Sequence, residues 1–297
     1  MTELAQERSD VCLLSGDIGN RMFDRYKGVA PTRFLNCGIA EANMMSMAAG
    51  MALSGLRPVV YTITPFTTTR CLEQIRTGVA YHEAPVVIVG TGSGLSYAEL
   101  GATHHSLEDL AILRSIPNLQ VCAPADSLEL EAQLRQAITE GQPTYIRIGK
   151  KGEPDLLAEH AFLGIGKANL LKKGKKILLL GIGPILSEAL QASTILAQQG
   201  IQLGIASMGS IKPLDNCFLQ QCVAEGYSHW ISLEEHHQTG GLGSALLEWL
   251  SEQRINTIEL TRMGIADHFV HRLGAQQFVR ESEGLNANAI ASLVQSL

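Results

Sequence analysis

Charge is scarce in this sequence. Only 18% of its 297 residues are Asp, Glu, Lys or Arg, below the roughly 25% of an ordinary globular chain. That deficit leaves too little charge to cover an independent surface and points to a large subunit interface. Positive charge is scarcer still. The 23 Lys and Arg residues against 29 Asp and Glu give a net charge of −6, so no basic field exists to hold phosphate backbone or anionic lipid. Nucleic-acid and membrane-surface roles are thereby disfavoured. The six cysteines, Cys12, Cys37, Cys71, Cys122, Cys217 and Cys222, lack the two-residue spacing with which paired thiolates grip a metal. They read as reduced, mostly buried thiols. No apolar run approaches the ~20 residues of a spanning helix, and the opening MTELAQERSD is polar and acidic where a secretory leader is basic and then apolar. A soluble, cytoplasmic protein is expected.

What the sequence does have is alternation. Its length suggests about two domains at ~150 residues each. VCLLS (11–15), PVVYTI (58–63), PVVIVG (85–90), LQVCAP (119–124) and PTYIRIG (143–149) are apolar on both faces, as buried parallel strands are. Helical patterns over 40–55, 69–83, 107–116 and 128–139 separate them, and Asp126 with Glu129 forms a capping pair at the start of the last. Residues 151–174, containing Gly and Lys, read as a linker after a first domain of residues 1–150. Alternation then resumes over 175–297, with strands at 176–183, 202–209, 229–234 and 257–264 and helices near 187–199, 243–253 and 286–296. The expected fold class is α/β: two three-layer α/β domains with parallel or mixed sheets.

Ligands of such sheets sit at the carboxyl ends of the strands, so chemistry is expected first in the loops there. Gly90, Gly92 and Gly94 follow a strand but lack the third glycine and the immediate helix of a dinucleotide fingerprint. Gly181 and Gly183 before Pro184 read as a tight turn into a helix. The pairs His104-His105 and His236-His237 are poor metal ligands, because adjacent side chains point apart. Glu41 is more unusual. It opens a helix otherwise filled with Met, Ala and Gly, the composition of a helix packed on all sides. A carboxylate near a helix N-terminus is, by itself, worth under about 1 kcal/mol.

Taken together, SGDIGN (15–20), FLNCGIAEANMMSMAAGMALSGLRPVVYT (34–62), ELGATHHSLEDLAILRSIPNLQVCAPAD (99–126), PTYIRIGK (143–150) and EEHHQTGGLGSA (234–245) resemble the transketolase family of thiamine diphosphate enzymes. The likeness covers the pyrimidine-binding and C-terminal domains, in order, over nearly the whole chain. Deoxyxylulose-phosphate synthase and the pyruvate dehydrogenase beta subunit share much of this pattern. Those, or a scaffold retaining the fold, are the alternatives. The region with which whole transketolases bind the cofactor's diphosphate through a metal has no counterpart here. The resemblance therefore implies the second half of a split transketolase. Its partner would be an N-terminal transketolase subunit holding the Mg²⁺ or other divalent ion, joined with it in a heterotetramer.

The resemblance also implies site residues. The glutamate matching Glu41 bonds the cofactor's aminopyrimidine and relays a proton, and Met44, Met45 and Met47 offer the apolar surroundings that role needs. Phe66 is the candidate ring to stack on the pyrimidine. His104 in GATHH matches a substrate-contacting histidine that acts as proton donor to a carbonyl or hydroxyl. Arg21 and Lys150 are basic residues suited to a substrate phosphate or carboxylate. Two positions depart from the pattern: Leu100 stands where an aspartate reads a donor hydroxyl, and Gly92 where the family has a loop histidine. No metal ligand is assigned to this chain and no catalytic residue to the EEHHQTGGLGSA segment, from which His236 or His237 would be the one to reach a neighbour's site. The implied substrates are small ketoses and aldehydes.

Overall fold

The computed structural model describes residues 1–18, 21–150, 152–157 and 164–297. The end of the SGDIGN motif and parts of the 151–174 stretch lie outside these residues. Twelve strands occur among the described residues: β1 (Val11–Ser15), β2 (Phe34–Asn36), β3 (Arg57–Ile63), β4 (Val87–Thr91), β5 (Gln120–Cys122), β6 (Thr144–Ile148), β7 (Asn169–Lys172), β8 (Ile177–Ile182), β9 (Gly204–Ser207), β10 (Ser210–Lys212), β11 (His229–His237) and β12 (Glu259–Ile265). They form a seven-stranded sheet in the order β10-β5-β6-β4-β3-β1-β2 and a five-stranded sheet in the order β12-β11-β8-β9-β7. Every pairing is parallel except β10 with β5 and β7 with β9. This is the expected α/β architecture with mixed sheets.

Alternation along each strand feeds two layers. Cys12 and Leu14 of β1 join one buried cluster while Val11 and Leu13 join another on the opposite face, the period-two geometry of a pleated strand. In the second sheet Leu178 and Leu180 face one layer and Leu179 the other. One buried cluster contains Leu14 and Val60 of the first sheet together with Leu178 and Trp230 of the second. The two sheets thus share a core.

Four features depart from the sequence expectation. The 69–83 segment is a 3₁₀ turn (Thr69–Cys71) followed by a π-helix (Gln74–Ala80). Threonine hydroxyls loosen the regular ladder here: Thr68 Oγ1 donates to the Thr64 carbonyl at 2.7 Å and Thr77 Oγ1 to that of Glu73 at 2.7 Å. The Glu41–Leu53 helix buries one face (Glu41, Met44, Met45, Ala48, Ala49, Ala52) and leaves Asn43, Ser46 and Gly50 exposed. It is therefore not packed on all sides. Finally, the run expected as one strand over 202–209 ends at Ser207, turns at Gly209 with φ 61°, and sends β10 to the edge of the other sheet. A Cβ on Gly209 would lie 2.4 Å from Glu129 Oε1, so only glycine fits that crossing. Asn169–Lys172, inside the expected linker, is strand β7 of the second sheet.

The capping pair forms with a variation. Asp126 Oδ1 accepts from the N–H groups of Leu128 (3.1 Å) and Glu129 (3.0 Å), while the Glu129 carboxylate reaches back to the N–H of Ala125 at 2.7 Å.

Candidate active site

The candidate residues come from four different segments, and each follows a parallel strand of the first sheet. Glu41 comes after β2, Phe66 after β3, Tyr97 and His104 after β4, and Lys150 after β6. Their convergence is a consequence of the topology, because the loops at the carboxyl edge of a parallel sheet share one rim. Local sequence fixes each position. Pro65 sets the first turn of the Thr64–Thr67 helix that presents Phe66. Thr64 Oγ1 ties that helix to the Thr91 carbonyl at 3.0 Å. Gly101, at φ 73°, reverses the chain so that the N–H groups of His104 and His105 both reach its carbonyl, at 2.9 and 3.0 Å.

The side chains join into one ladder, three rings with an ion pair at each end. Glu41, 5% exposed, accepts at Oε2 from Arg70 Nη1 at 2.9 Å. The Arg70 guanidinium carbon lies 4.1 Å from the Phe66 ring centroid, within the range of a cation–π contact. Phe66 meets the His104 ring edge-on at 5.3 Å, and His104 meets Tyr97 at 5.9 Å. Lys150 Nζ sits 4.4 Å from the Tyr97 centroid and 2.7 Å from Glu99 Oε1. That hydrogen bond holds the Glu99 carboxyl below its ordinary range. Thr103 Oγ1 and His104 Nδ1 are 2.9 Å apart.

Four of the five sequence-derived candidates, Glu41, Phe66, His104 and Lys150, therefore lie in one array. The fifth, Arg21, is exposed beyond β1, and no side-chain contact among the described residues ties it to the others. Sequence reasoning missed Arg70, Tyr97 and Glu99. A signal for Arg70 existed: it lies four residues after Phe66 in a run with helical character, a spacing that stacks two side chains on one face. Gly92 is explained by Tyr97. A Cβ at Gly92 would lie 2.0 Å from Tyr97 Cε2, so the position expected of a loop histidine is cleared for this ring.

Beneath the ladder lies a buried polar layer joining the sheets. Arg147, 4% exposed, lies 3.2 Å from Asp109 and donates through Nη2 to the carbonyls of Ser106 (2.9 Å) and Glu235 (2.7 Å). His236 is fully buried, which leaves His237, partly exposed, as the one of the two able to reach a neighbouring subunit. The Nε2 of His236 accepts from the N–H of Ala111 at 3.3 Å, and burial lowers its pKa to about 4, keeping the imidazole neutral. His237 is held at Nδ1, 3.1 Å from the Ala266 carbonyl. Burial raises the Glu234 carboxyl to about 7. These groups hold loops in place and do not line the ladder.

The arrangement offers a buried carboxylate linked through Arg70 to an aromatic ring, with a histidine ring tilted against that aromatic ring. Glu41 Oε1 and His104 Nε2 have no hydrogen-bond partner among the described residues. Such a donor set fits a planar heteroaromatic amine, with one oxygen left to exchange a proton with it. No group of three or more His, Cys, Asp or Glu side chains suited to a metal occurs among the described residues. No helix there is long and apolar enough to cross a membrane.

Residues 1–153 match the family described as transketolase, pyrimidine binding domain, and residues 166–290 the transketolase C-terminal domain. The chain belongs to the transketolase family. Among its relatives is an apulose-4-phosphate transketolase subunit of Phocaeicola vulgatus, 34% identical over 91% of this chain and 86% of that protein. A 6-deoxy-6-sulfo-D-fructose transketolase subunit of a Clostridium species is 33% identical over 98% of this chain and 89% of its own length. A solved structure described as a split gene transketolase, inactive beta4 tetramer, superposes with a TM-score of 0.90 at 33% identity, covering 99% of this chain and 94% of that one.

Proposed function

We propose that this chain is the C-terminal-half subunit of a split transketolase, moving a two-carbon ketol unit from a ketose donor to an aldehyde acceptor. It works with thiamine diphosphate and only when joined to an N-terminal-half partner, in a heterotetramer, that holds the diphosphate through Mg²⁺ or another divalent ion. The observation that carries this reading is the buried Glu41 carboxylate, paired at one oxygen with Arg70 and linked through that guanidinium to Phe66 at the carboxyl edge of the sheet. Thiamine diphosphate, when bound, supplies the carbon nucleophile that accepts the ketol unit.

The residues of this chain do the rest. Glu41 holds and moves a proton at the aminopyrimidine ring, and the Phe66 face orients that ring. His104 donates to the substrate's carbonyl or hydroxyl oxygen. Two relatives are named for ketoses with a distal phosphate or sulfonate, which supports a donor with an anionic far end for this chain too. Lys150 and Arg21 are its anchors in this reading. The Lys150–Glu99 pair is partly exposed, at 35% and 49%, so exchanging Glu99 for a substrate anion costs little.

Glu41→Gln tests the reading. Assembly should hold, while proton–deuterium exchange at the thiazolium carbon and turnover fall by ~10²-fold or more, as for loss of a positioned proton-transfer group. Exchange at the wild-type rate in the Glu41→Gln complex would overturn the assignment.

A further inference from the structure

The carboxylate on which this reading turns is held by another side chain. We infer that Arg70 is a positioning residue for Glu41 and Phe66, an inference that rests on those two facing the cofactor. Arg70 Nη1 donates to Glu41 Oε2 at 2.9 Å, from a side chain 45% exposed to one only 6% exposed. The carboxylate has given up most of its water, and Arg70 supplies the charge-assisted hydrogen bond that replaces it. Holding Oε2 also stops rotation of the carboxylate plane and presents Oε1, which has no partner among the described residues. A freely turning carboxylate would spend much of its time with neither oxygen aligned.

The same guanidinium covers Phe66 at 4.1 Å, so one planar group fixes both the acid and the ring. Arg70 can do this because its backbone is anchored next to that of Phe66. Thr69 Oγ1 donates to the Pro65 carbonyl at 3.0 Å, and Cys71 Sγ lies 3.1 Å from the Phe66 carbonyl. Lysine would keep the charge but not the flat face, so it replaces only half of the function.

The test uses the complex purified with its N-terminal-half partner, thiamine diphosphate and Mg²⁺, and the variants Arg70→Gln, Arg70→Lys and Glu41→Gln. Three quantities are read: cofactor affinity by fluorescence quenching, thiazolium proton–deuterium exchange, and the unfolding midpoint of the chain without cofactor. Arg70→Gln should slow exchange about 10-fold or more, the scale of a lost charge-assisted hydrogen bond. It should weaken cofactor affinity by no more than about 3-fold, because the group touches Glu41 and Phe66 and not the diphosphate end. Arg70→Lys should recover part of the exchange rate. In the cofactor-free chain the midpoint shifts of Arg70→Gln and Glu41→Gln should be non-additive, as for two halves of one ion pair. Wild-type exchange in Arg70→Gln, with Glu41→Gln inactive, would overturn the inference and leave the proposed function standing. Wild-type exchange in both would sink the proposed function itself. Equal losses of affinity and exchange, or no gain from lysine, would make Arg70 a packing residue and overturn the inference.

Discussion

At the scale of single residues, the loop after β4 shows how tightly the array is fitted. Gly92 has φ 76° and leaves room for the Tyr97 ring, which a Cβ would meet at 2.0 Å. Gly92→Ala should destabilise the fold by about 2–4 kcal/mol, combining ring overlap with left-handed strain. Adding Tyr97→Ala should recover the overlap and leave a residual of about 1–2 kcal/mol. Urea unfolding of both variants checks this; a fully additive pair would mean that the ring is not what excludes a side chain at Gly92. Leu100, half exposed on the same loop, has no group to accept a donor hydroxyl. An apolar contact discriminates weakly, so kcat/KM for matched hydroxylated and deoxy donors should differ less than about 10-fold, and Leu100→Asp should widen the gap. A strong preference for the hydroxylated donor, unchanged in Leu100→Ala, would mean that another residue reads it. Glu41, Phe66, His104 and Lys150 were legible in the sequence because each stands in a recognisable motif. Arg70 and Tyr97 were less so: Arg70 stands four residues after Phe66, but its pairing with Glu41, like that of Tyr97 with Lys150, joins residues distant in sequence that meet only through the fold.

At the scale of elements, boundaries followed the apolar runs wherever a strand was long and buried, as in β1, β3 and β4. The pieces that escaped were short or lay at a sheet edge. β2 and β10 have three residues each, too few for any periodicity to show. The π-helix escaped because hydroxyl-to-carbonyl bonds, and not hydrophobic spacing, set its turn. The Asp126 cap was legible, but the destination of Glu129 was not. Burial raises this carboxyl from its ordinary 4.5 to about 7, with the hydrogen bond from Ala125 opposing. The folded chain thus binds the proton more tightly than the unfolded chain. That contribution to stability is complete below about 4.5 and is lost as pH rises through about 7. Glu234 acts in the same direction, while buried neutral His236 works oppositely, its contribution fading as pH falls from 6.5 towards about 4. Glu129→Gln should therefore flatten the fall in unfolding midpoint between pH 5 and 8. Parallel profiles for variant and wild type would refute the role given to burial.

At the scale of the whole molecule, the two sheets are sewn together. β10 pairs with β5, Gln133 Nε2 donates to the Gly209 carbonyl at 2.9 Å, and the N–H of Leu95 reaches Glu235 Oε1 at 2.5 Å. A core cluster runs through both. Calorimetry should accordingly record one cooperative transition; two separable peaks would show that the halves unfold independently. The low charged fraction is read at this scale as well. In the proposed assembly the chain alone should bind thiamine diphosphate poorly, and tight metal-dependent binding to the isolated subunit would contradict the split-site reading.

The crossing of β10 also bears on how such a gene can be divided. Two relatives of this chain are named as transketolase subunits and a similar solved structure as a split gene transketolase, so genes of this family occur in divided form. A second cut, between the segments 1–153 and 166–290, would be of another kind. The first product would carry a sheet whose last strand is encoded by the second, leaving the β5 edge open to any chain that happened to pair with it. Even in the intact gene, a ribosome must deliver residue 212 before that edge closes. The second cut would leave each fragment waiting for the other, and expression of the first alone should end in aggregation.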